Sequence, residues 1–264
     1  MMDKKRIVIK VGTSTLTHKT GKLNIRKVER LVKAIADLSN AGNEILLVSS
    51  GAIGLGMSKL GLVSKPTDTP MKQACAAVGQ CEMMYMYDKL FAEYSLTVAQ
   101  LLVTKYVLDN DSRNNVENAI ESLLSCGVIP IINENDTVAI DELELEIGEN
   151  DSLSAIIACV AKADLLVLLS DIDGLFDSDP NENENAAFIS VVEKIDEQIE
   201  KFAAGPSSVL GTGGMTTKIN AAKIANSAGI DMIIMNGSRP ENLYSLIDEK
   251  QIGTIFKANT EDKK

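Results

Sequence analysis

Several features that commonly signal a function are scarce or missing in this sequence. Histidine occurs only once, as His18 in a polar stretch, so Ser-His-Asp or Cys-His catalysis and a histidine-bound zinc site are poorly supported. The four cysteines, Cys75, Cys81, Cys126 and Cys159, form no CxxC pair, and we expect buried, unpaired thiols in a reducing compartment. No apolar run reaches the roughly 18 residues that a transmembrane helix needs.

Positive charge is also in short supply. The 264 residues contain 26 Lys and Arg against 37 Asp and Glu, which gives a net charge of −11. This balance argues against a nucleic-acid-binding surface. The N-terminus has the charges of a signal peptide but not its apolar core, because Lys10 interrupts the run Ile7–Ile9,. We therefore expect a cytoplasmic protein that binds neither nucleic acid nor membranes.

The apolar residues that are present follow the pattern of an α/β protein. Short runs that are apolar throughout, such as Ile7–Ile9, Ile45–Val48 and Leu165–Leu169, alternate with stretches of helical periodicity,. Strands of this kind form parallel sheets with helices on both faces. The sequence predicts a three-layer αβα sandwich with a mainly parallel central sheet. Two segments deviate: alternation within 137–147 predicts a hairpin, and the acidic stretch 177–185 predicts a mobile loop,.

Polar clusters fall at the carboxyl ends of the predicted strands, where such sheets bind ligands. Lys10 is a charge within an apolar strand and needs an anion nearby if it is buried; the alternative is an edge-strand lysine that faces solvent. The segment Ser49–Ala52 lies between a strand and a predicted helix, which suits an anion nest. Asn133, Asn135 and Asp136 suit the binding of an α-amino group, although they also fit ordinary turn chemistry.

The segment 211–218, GTGGMTTK, is the sharpest signal. Glycines allow close backbone approach to a ligand, and the helix that follows offers free N–H groups and the positive end of its dipole to a phosphate. Lys218, in the first turn, can reach the same anion. The sequence contains neither GxxxxGK[ST] nor GxGxxG. The alternative interpretation is a glycine-rich linker with a surface lysine.

Together these segments resemble the amino-acid kinase superfamily. The resemblance is carried by Val8–Ser14, Val48–Ala52, Ile132–Asp136 and 211–218, and it extends from about Lys5 to Phe256. Within the superfamily the chain is similar to the branch that phosphorylates the side-chain carboxylate of L-glutamate. The resemblance implies ATP as phosphoryl donor, Mg²⁺ on its phosphates, and glutamyl 5-phosphate as product, on the route to proline. It also implies a homo-oligomer and proline as a feedback inhibitor.

The resemblance further implies roles for individual residues. Lys10 and Lys218 would be the catalytic cations, and Asp151 would hold the two lysines in place. Glutamate would be bound within an N-terminal lobe, residues 1–162, by Ser50, Asp136 and Asn150. ATP would be bound mainly by a C-terminal lobe, residues 163–264, through Lys10, Ser170, Asp171, Thr212, Gly213, Gly214, Met215, Thr216, Thr217 and Lys218. The resemblance leaves the direct ligands of the metal undefined.

Two departures from the family pattern are visible. The family usually has Asp-Asn-Asp where this chain has Glu149, Asn150 and Asp151, so we expect the end of the predicted hairpin to differ in shape. Many members also carry a C-terminal PUA domain, of a kind that binds RNA in other proteins. This chain ends at Lys264, and we expect a single amino-acid kinase domain without RNA binding by that route.

The physical chemistry of the implied reaction agrees with the residues. In model peptides the glutamate side-chain carboxyl has a pKa of about 4.3 and is ionised at neutral pH, so no general base is needed to activate it. One anion must approach another, which requires positioned cations. Two other functions stay open: a kinase of the same fold acting on another small acid, and a catalytically silent regulator, whose signature would be the loss of Lys10, Lys218 or Asp151.

Overall fold

The computed structural model describes residues 4–18, 20–104, 110–138, 150–180, 182–204, 214–248 and 250–258. The strands in this part of the chain are β1 Arg6–Val11, β2 Glu44–Ser49, β3 Val98–Val103, β4 Ile129–Glu134, β5 Leu165–Ser170, β6 Leu175–Phe176, β7 Phe188–Ile189, β8 Val191–Val192, β9 Asp231–Asn236 and β10 Thr254–Phe256. The helices are α1 Thr13–Leu16, α2 Ile25–Asn40, α3 Ala52–Leu60, α4 Thr69–Ala92, α5 Asn110–Ser125, α6 Asn150–Val160, α7 Glu197–Ala204, α8 Met215–Ser227 and α9 Ser245–Asp248, with a 3₁₀ helix at Pro240–Tyr244.

The described strands form an eight-stranded sheet in the order β3-β4-β2-β1-β5-β9-β10-β8. All neighbours in it are parallel except β9 and β10, which are antiparallel. The strands β1, β2, β4 and β5 are buried almost throughout, since helices cover both faces, whereas the edge strand β3 is largely half-buried,. The predicted αβα sandwich with a mainly parallel sheet is confirmed.

Strand β1 lies at the centre of the sheet. Its residues pair with β2 on one side and with β5 on the other, so that Lys10 is opposite both Val48 and Leu168. The alternative of a solvent-facing lysine on an edge strand is therefore wrong. β1 and the strands on the β3 side come from the first half of the chain, and the strands from β5 onward come from the second half.

Local sequence signals explain how the helices begin and which face they bury. The Asn24 side chain accepts a hydrogen bond from Lys27 N at 3.2 Å and caps α2, as the sequence predicts,. The apolar stripe of α2, including Leu31 and Ile35, is fully buried in the core on one face of the sheet. Helices α6 and α8 bury Ile157 and similar residues in the core on the other face.

A close crossing of α3 and α4 depends on two glycines. A Cβ atom at Gly56 would lie 1.8 Å from the carbonyl oxygen of Cys75, and one at Gly79 would lie 1.7 Å from that of Ala52. No side chain fits at such distances, because the obstacle is backbone. Glycine at both positions brings α4 into direct contact with the start of α3.

Two of the four cysteines differ from the expectation that all four thiols are buried. Cys75 is buried as expected, but Cys81 and Cys126 are exposed because they face outward from α4 and from the end of α5. The acidic loop 177–185 connects the paired strands β6 and β7, and Asp177 N donates to Ala187 O at 3.1 Å at its base. The mobility of this loop stays a prediction. Residues 139–149, which hold most of the predicted hairpin, are outside the described part.

Among the residues that the structure describes, none of the helices combines the length and the apolar character required to cross a membrane.

We predict that Gly56→Ala destabilises the fold by about 3 kcal/mol, because the new methyl group collides with the backbone of α4,. Gly54 is a matched control in the same helix, since a Cβ there would meet only Thr13 Cγ2 at 3.8 Å. Gly54→Ala should stabilise by about 0.5–1 kcal/mol through helix propensity. Urea unfolding of the two variants measures both effects, and a similar change in both would contradict the packing argument.

Candidate active site

Two lysines and one aspartate from three different elements meet at the centre of the molecule. The Lys10 Nζ atom of β1 lies 2.5 Å from Asp151 Oδ1, and the Lys218 Nζ atom of α8 lies 3.1 Å from Asp151 Oδ2. The Asp151 side chain is 1% exposed, and the two lysine side chains are 11% and 9% exposed. The structure thus brings together the three residues to which the resemblance gave catalytic roles.

The charges of this group determine how Asp151 titrates. Burial by itself would raise the pKa of the Asp151 carboxyl, but attraction to Lys10 and Lys218 outweighs burial and holds this pKa below its ordinary value,. Asp151 also lies in the first turn of α6, where the positive end of the helix dipole favours a carboxylate. Two lysines and one aspartate leave one net positive charge, which suits an anionic ligand.

Helix α8 supplies Lys218 from its first turn. Gly214 is the N-cap, and the hydroxyl of Thr217 lies 3.1 Å from Asp151 Oδ2 and 2.9 Å from Gly214 O. Met215 is half-buried, whereas Thr216 is exposed. Two further nucleotide-binding candidates, Thr212 and Gly213, lie outside the described residues.

A cavity of about 670 Å³ opens beside this group of charges. Three candidate glutamate-binding residues, Ser50, Asp136 and Asn150, line the cavity together with Lys10. The structure therefore places the predicted acceptor residues in one space, next to one of the two lysines. The cavity is also lined by Gly12, Thr13, Gly51, Ala52, Ile53, Gly54, Met57, Lys65, Asn133 and Glu134.

The turn between β2 and α3 forms one wall of the cavity. Ser50 N donates to Val11 O at 3.0 Å, which ties the end of β2 to the end of β1. Gly51 has φ of 107°, a left-handed conformation that favours glycine,. Because α3 begins at Ala52, its first N–H groups lie at the cavity wall, as expected for an anion nest,.

Two carboxylates give the cavity a negative region. Burial raises the pKa of the Asp136 carboxyl above its usual value. Burial and the neighbouring Asp136 charge raise the pKa of Glu134 in the same way,. Among the described residues, no lysine or arginine counters the charge of either carboxylate, and both suit the α-ammonium group of an amino acid.

The remaining nucleotide candidates lie at the carboxyl end of β5. Ser170 is buried, and its hydroxyl donates to the Asp171 carboxylate at 3.1 Å. β5 is the direct neighbour of β1, so these residues lie along the same sheet edge as Lys10. They do not line the cavity that holds Ser50 and Asp136, and the structure keeps the two predicted groups on separate sides of Lys10.

Sequence reasoning left Glu134 and Lys65, two charged residues of the cavity, without a role. Glu134 is the last residue of β4 and lies two positions before Asp136, and this spacing was a usable signal. Lys65, in the connection between α3 and α4, had no motif to mark it, and only the folded chain brings it to the cavity wall.

Within the described ranges, no three His, Cys, Asp or Glu side chains come together as a set of metal ligands. At the Lys10–Asp151–Lys218 group the cations occupy the places beside the carboxylate. This donor set fits phosphate oxygens better than it fits a metal ion held by the protein alone.

Comparison of the sequence with known proteins shows the family of this chain. Residues 5–236 match the amino acid kinase family. The chain is 51% identical to the glutamate 5-kinase of Clostridium perfringens, over 98% of this chain and 97% of that protein. It is 48% identical to the glutamate 5-kinase of Listeria monocytogenes, over 99% of this chain and 96% of that protein.

Solved structures with the same fold are more distant in sequence. The carbamate kinase from Giardia lamblia bound to AMP-PNP has a TM-score of 0.68 at 15% identity, over 98% of this chain and all of that chain. The UMP kinase from Ureaplasma parvum has a TM-score of 0.64 at 17% identity, over 97% of this chain and all of that chain. At such identity the likeness extends to the fold alone.

We predict that Asp151→Asn destabilises the protein by about 3 kcal/mol at pH 7, because two poorly exposed lysines lose their counter-ion,. Asp248→Asn is the control, since Asp248 forms an exposed ion pair with Lys250 and should change little. Urea unfolding of both variants and the wild type gives the comparison.

The pH dependence of this difference has a defined sign. The folded-state pKa of Asp151 is below its ordinary value, so its contribution is complete above the unfolded pKa of about 3.9 and is lost as the pH falls through the folded value. The difference in the free energy of unfolding between the wild type and Asp151→Asn should be constant from about pH 7 to 5 and should shrink below about pH 4. A gap that grew on acidification would contradict the ion-pair argument.

Proposed function

Because the chain belongs to the amino acid kinase family and, within it, to the glutamate 5-kinases, we propose a division of labour among its residues in that reaction. The enzyme transfers the γ-phosphoryl group of ATP to the side-chain carboxylate of L-glutamate. The product is L-glutamyl 5-phosphate, and the reaction is the first step of proline biosynthesis. The observation that carries the assignment of roles is the Lys10–Asp151–Lys218 group at the edge of a cavity with both acidic and amide side chains.

The acceptor needs no general base in this proposal. A side-chain carboxylate with a pKa of about 4.3 is ionised at neutral pH and attacks the γ-phosphorus directly. The obstacle is repulsion between the carboxylate and the phosphates, and the two lysines reduce it by stabilising negative charge as it develops on the transferred group. Asp151 positions both ammonium groups before the substrates arrive, which limits the reorganisation needed during the reaction.

Acceptor recognition is proposed for the cavity. Asp136, with Glu134 beside it, receives the α-ammonium group together with the amide oxygen of Asn150, and Ser50 offers a hydrogen bond to the rest of glutamate. This arrangement leaves the side-chain carboxylate directed toward Lys10, which lines the same cavity. The distribution of charge supports this assignment, because Asp136, Glu134 and Lys10 line the same cavity.

The nucleotide is proposed to bind on the other side of Lys10. The start of α8, from Gly214 to Lys218, receives the phosphates, together with Thr212 and Gly213, and the end of β5 supplies Ser170 and Asp171. Mg²⁺ would be held mainly by the oxygens of the ATP phosphates and by water, the ligands it favours, and would neutralise part of the phosphate charge.

The division into lobes and the wider setting belong to the same proposal. Residues 1–162 hold glutamate and residues 163–264 hold ATP, which agrees with the change from first-half to second-half strands between β1 and β5. We propose a cytoplasmic homo-oligomer that proline inhibits by feedback, as the family resemblance implies.

Transfer of labelled γ-phosphate from ATP tests the function directly. L-glutamate should accept the label, whereas aspartate, carbamate and UMP should accept it far more slowly. Faster transfer to one of these other acceptors would assign the cavity to a different substrate. Absence of transfer to any acceptor, with ATP still bound, would favour a regulator.

We predict that Lys10→Met and Lys218→Met each lower kcat by roughly 10³-fold or more while changing KM much less, because the charge acts mainly in the transition state. Lys223→Met is a matched control on the same helix, since Lys223 forms an exposed ion pair with Glu200. It should keep wild-type kinetics. A Lys10 or Lys218 variant with half the wild-type kcat would remove that lysine from the mechanism.

We predict that Asp136→Asn weakens glutamate binding by roughly 10- to 100-fold, the range for a lost charged hydrogen bond, and leaves ATP affinity nearly unchanged. Because burial raises the pKa of Asp136, wild-type kcat/KM for glutamate should begin to fall at a higher pH than an ordinary aspartate would cause. Calorimetry with each ligand, and kcat/KM from pH 8 to pH 5 at saturating ATP, provide the measurements. An unchanged acid limb in the variant would assign that limb to another group.

A further inference from the structure

Three amide side chains form a hydrogen-bonded row from the interior to the cavity, which we call the amide row: Gln80, Asn133 and Asn150. Asn133 Nδ2 donates to Gln80 Oε1 at 3.2 Å. Asn150 Nδ2 donates to Asn133 Oδ1 at 3.0 Å and to Ser50 Oγ at 2.6 Å. Gln80 is 7% exposed and Asn133 is 3% exposed. Only the last member and Ser50 have proposed contacts with substrate.

The hydrogen bonds of the row run in one direction. An amide has one acceptor oxygen and one donor NH₂ group. Because Gln80 presents its oxygen, Asn133 turns its NH₂ group toward Gln80 and its oxygen toward Asn150. Asn150 must then use its NH₂ group for Asn133 and Ser50. Within the described part of the chain nothing donates to its own oxygen, which is an acceptor at the cavity wall. Reversing the first amide would reverse the whole row.

Gln80 is also fixed relative to Ser50 through the backbone. Its neighbour Gly79 lies against Ala52 so closely that a Cβ there would be 1.7 Å from the Ala52 carbonyl oxygen. Ala52 is the first residue of α3, two positions after Ser50. The contacts therefore close a ring that leads from Ser50 through Ala52 and Gly79 to Gln80, and back through the row.

One feature of Gln80 is unfavourable for stability. Its Nε2 atom is buried and has no hydrogen-bond partner among the described residues. A buried donor without a partner destabilises the folded state. Methionine at this position would avoid this cost but would leave Asn133 Nδ2, which donates to Gln80 Oε1, without its acceptor,. The two side chains are therefore expected to differ little in their effect on stability.

We propose that Gln80 is a positioning residue for acceptor binding, which sets the direction of the amide row and so presents the Asn150 oxygen to the α-ammonium group of glutamate. The inference rests on the proposed function of the cavity. Gln80 touches no substrate in this arrangement and acts through Asn133 and Asn150. Gln80 is therefore a determinant of affinity for the amino-acid substrate and has no effect on affinity for the nucleotide.

Steady-state kinetics of Gln80→Met and Gln80→Glu provide the test. Gln80→Met should raise KM for glutamate roughly tenfold, the loss expected for one hydrogen bond, with KM for ATP unchanged. Gln80→Glu keeps an oxygen for Asn133 and should restore most of the affinity for glutamate. In thermal unfolding Gln80→Met should differ little from the wild type, because the unpartnered donor of Gln80 is removed while Asn133 Nδ2 loses its acceptor,. A purely structural role would instead lower stability without a selective rise in KM for glutamate.

A double-mutant cycle with Asn150→Ala separates action through the row from a direct effect. In the Asn150→Ala background, Gln80→Met should add almost nothing to KM for glutamate, because the residue through which it acts is gone. The proposal would be overturned if the effects of Gln80→Met and Asn150→Ala on KM for glutamate multiplied in the double variant. It would also be overturned by an equal rise in KM for both substrates, or by a Gln80→Glu variant with the same kinetics as Gln80→Met. Failure of the wild type to phosphorylate glutamate would instead refute the function of the cavity.

Discussion

The arrangement of the whole site depends on one buried carboxylate. Asp151 is held between two ammonium groups, one from the central strand and one from α8. Burying any of the three charges alone would be strongly unfavourable, and the group is tolerated because each charge has a partner. The aspartate also lies in the first turn of α6, so the same residue connects the central strand to α6 and α8, which pack together on one face of the sheet.

The excess of one positive charge in this group explains how an acidic protein can attract anionic substrates. The net charge of −11 is distributed over the whole chain, and exposed charges farther away than about 8 Å are largely screened at physiological salt. The two lysines are poorly exposed, and in the proposed mechanism they lie where phosphate and carboxylate meet. On that proposal the local charge at the site matters more for binding than the total charge of the chain.

The rest of the cavity follows from the topology. Parallel strands bring their carboxyl ends to one edge, and β1 at the centre lets β2 and β4 supply the acceptor wall on one side while β5 supplies residues on the other. Glycine at position 79 then brings α4 against the start of α3. This packing connects the cavity wall to the buried amide of Gln80 through Asn133.

The sequence by itself determined the features that depend on neighbours along the chain. The strand Arg6–Val11, the Asn24 cap and the first turn that carries Lys218 follow from periodicity, capping chemistry and propensity, which act within a few residues,. The family resemblance rested on such local segments. The resemblance assigned roles to Lys10, Lys218 and Asp151 from the sequence alone.

Tertiary structure decided the features that depend on contacts between distant segments. Lys218 and Asp151 are 67 positions apart, and only the packing of α6 against α8 makes them partners. The central place of β1, the exposure of Cys81 and Cys126, and the link from Gln80 to the cavity have the same origin. Residue patterns restrict local conformation, but which surfaces meet is settled by the simultaneous packing of the whole chain.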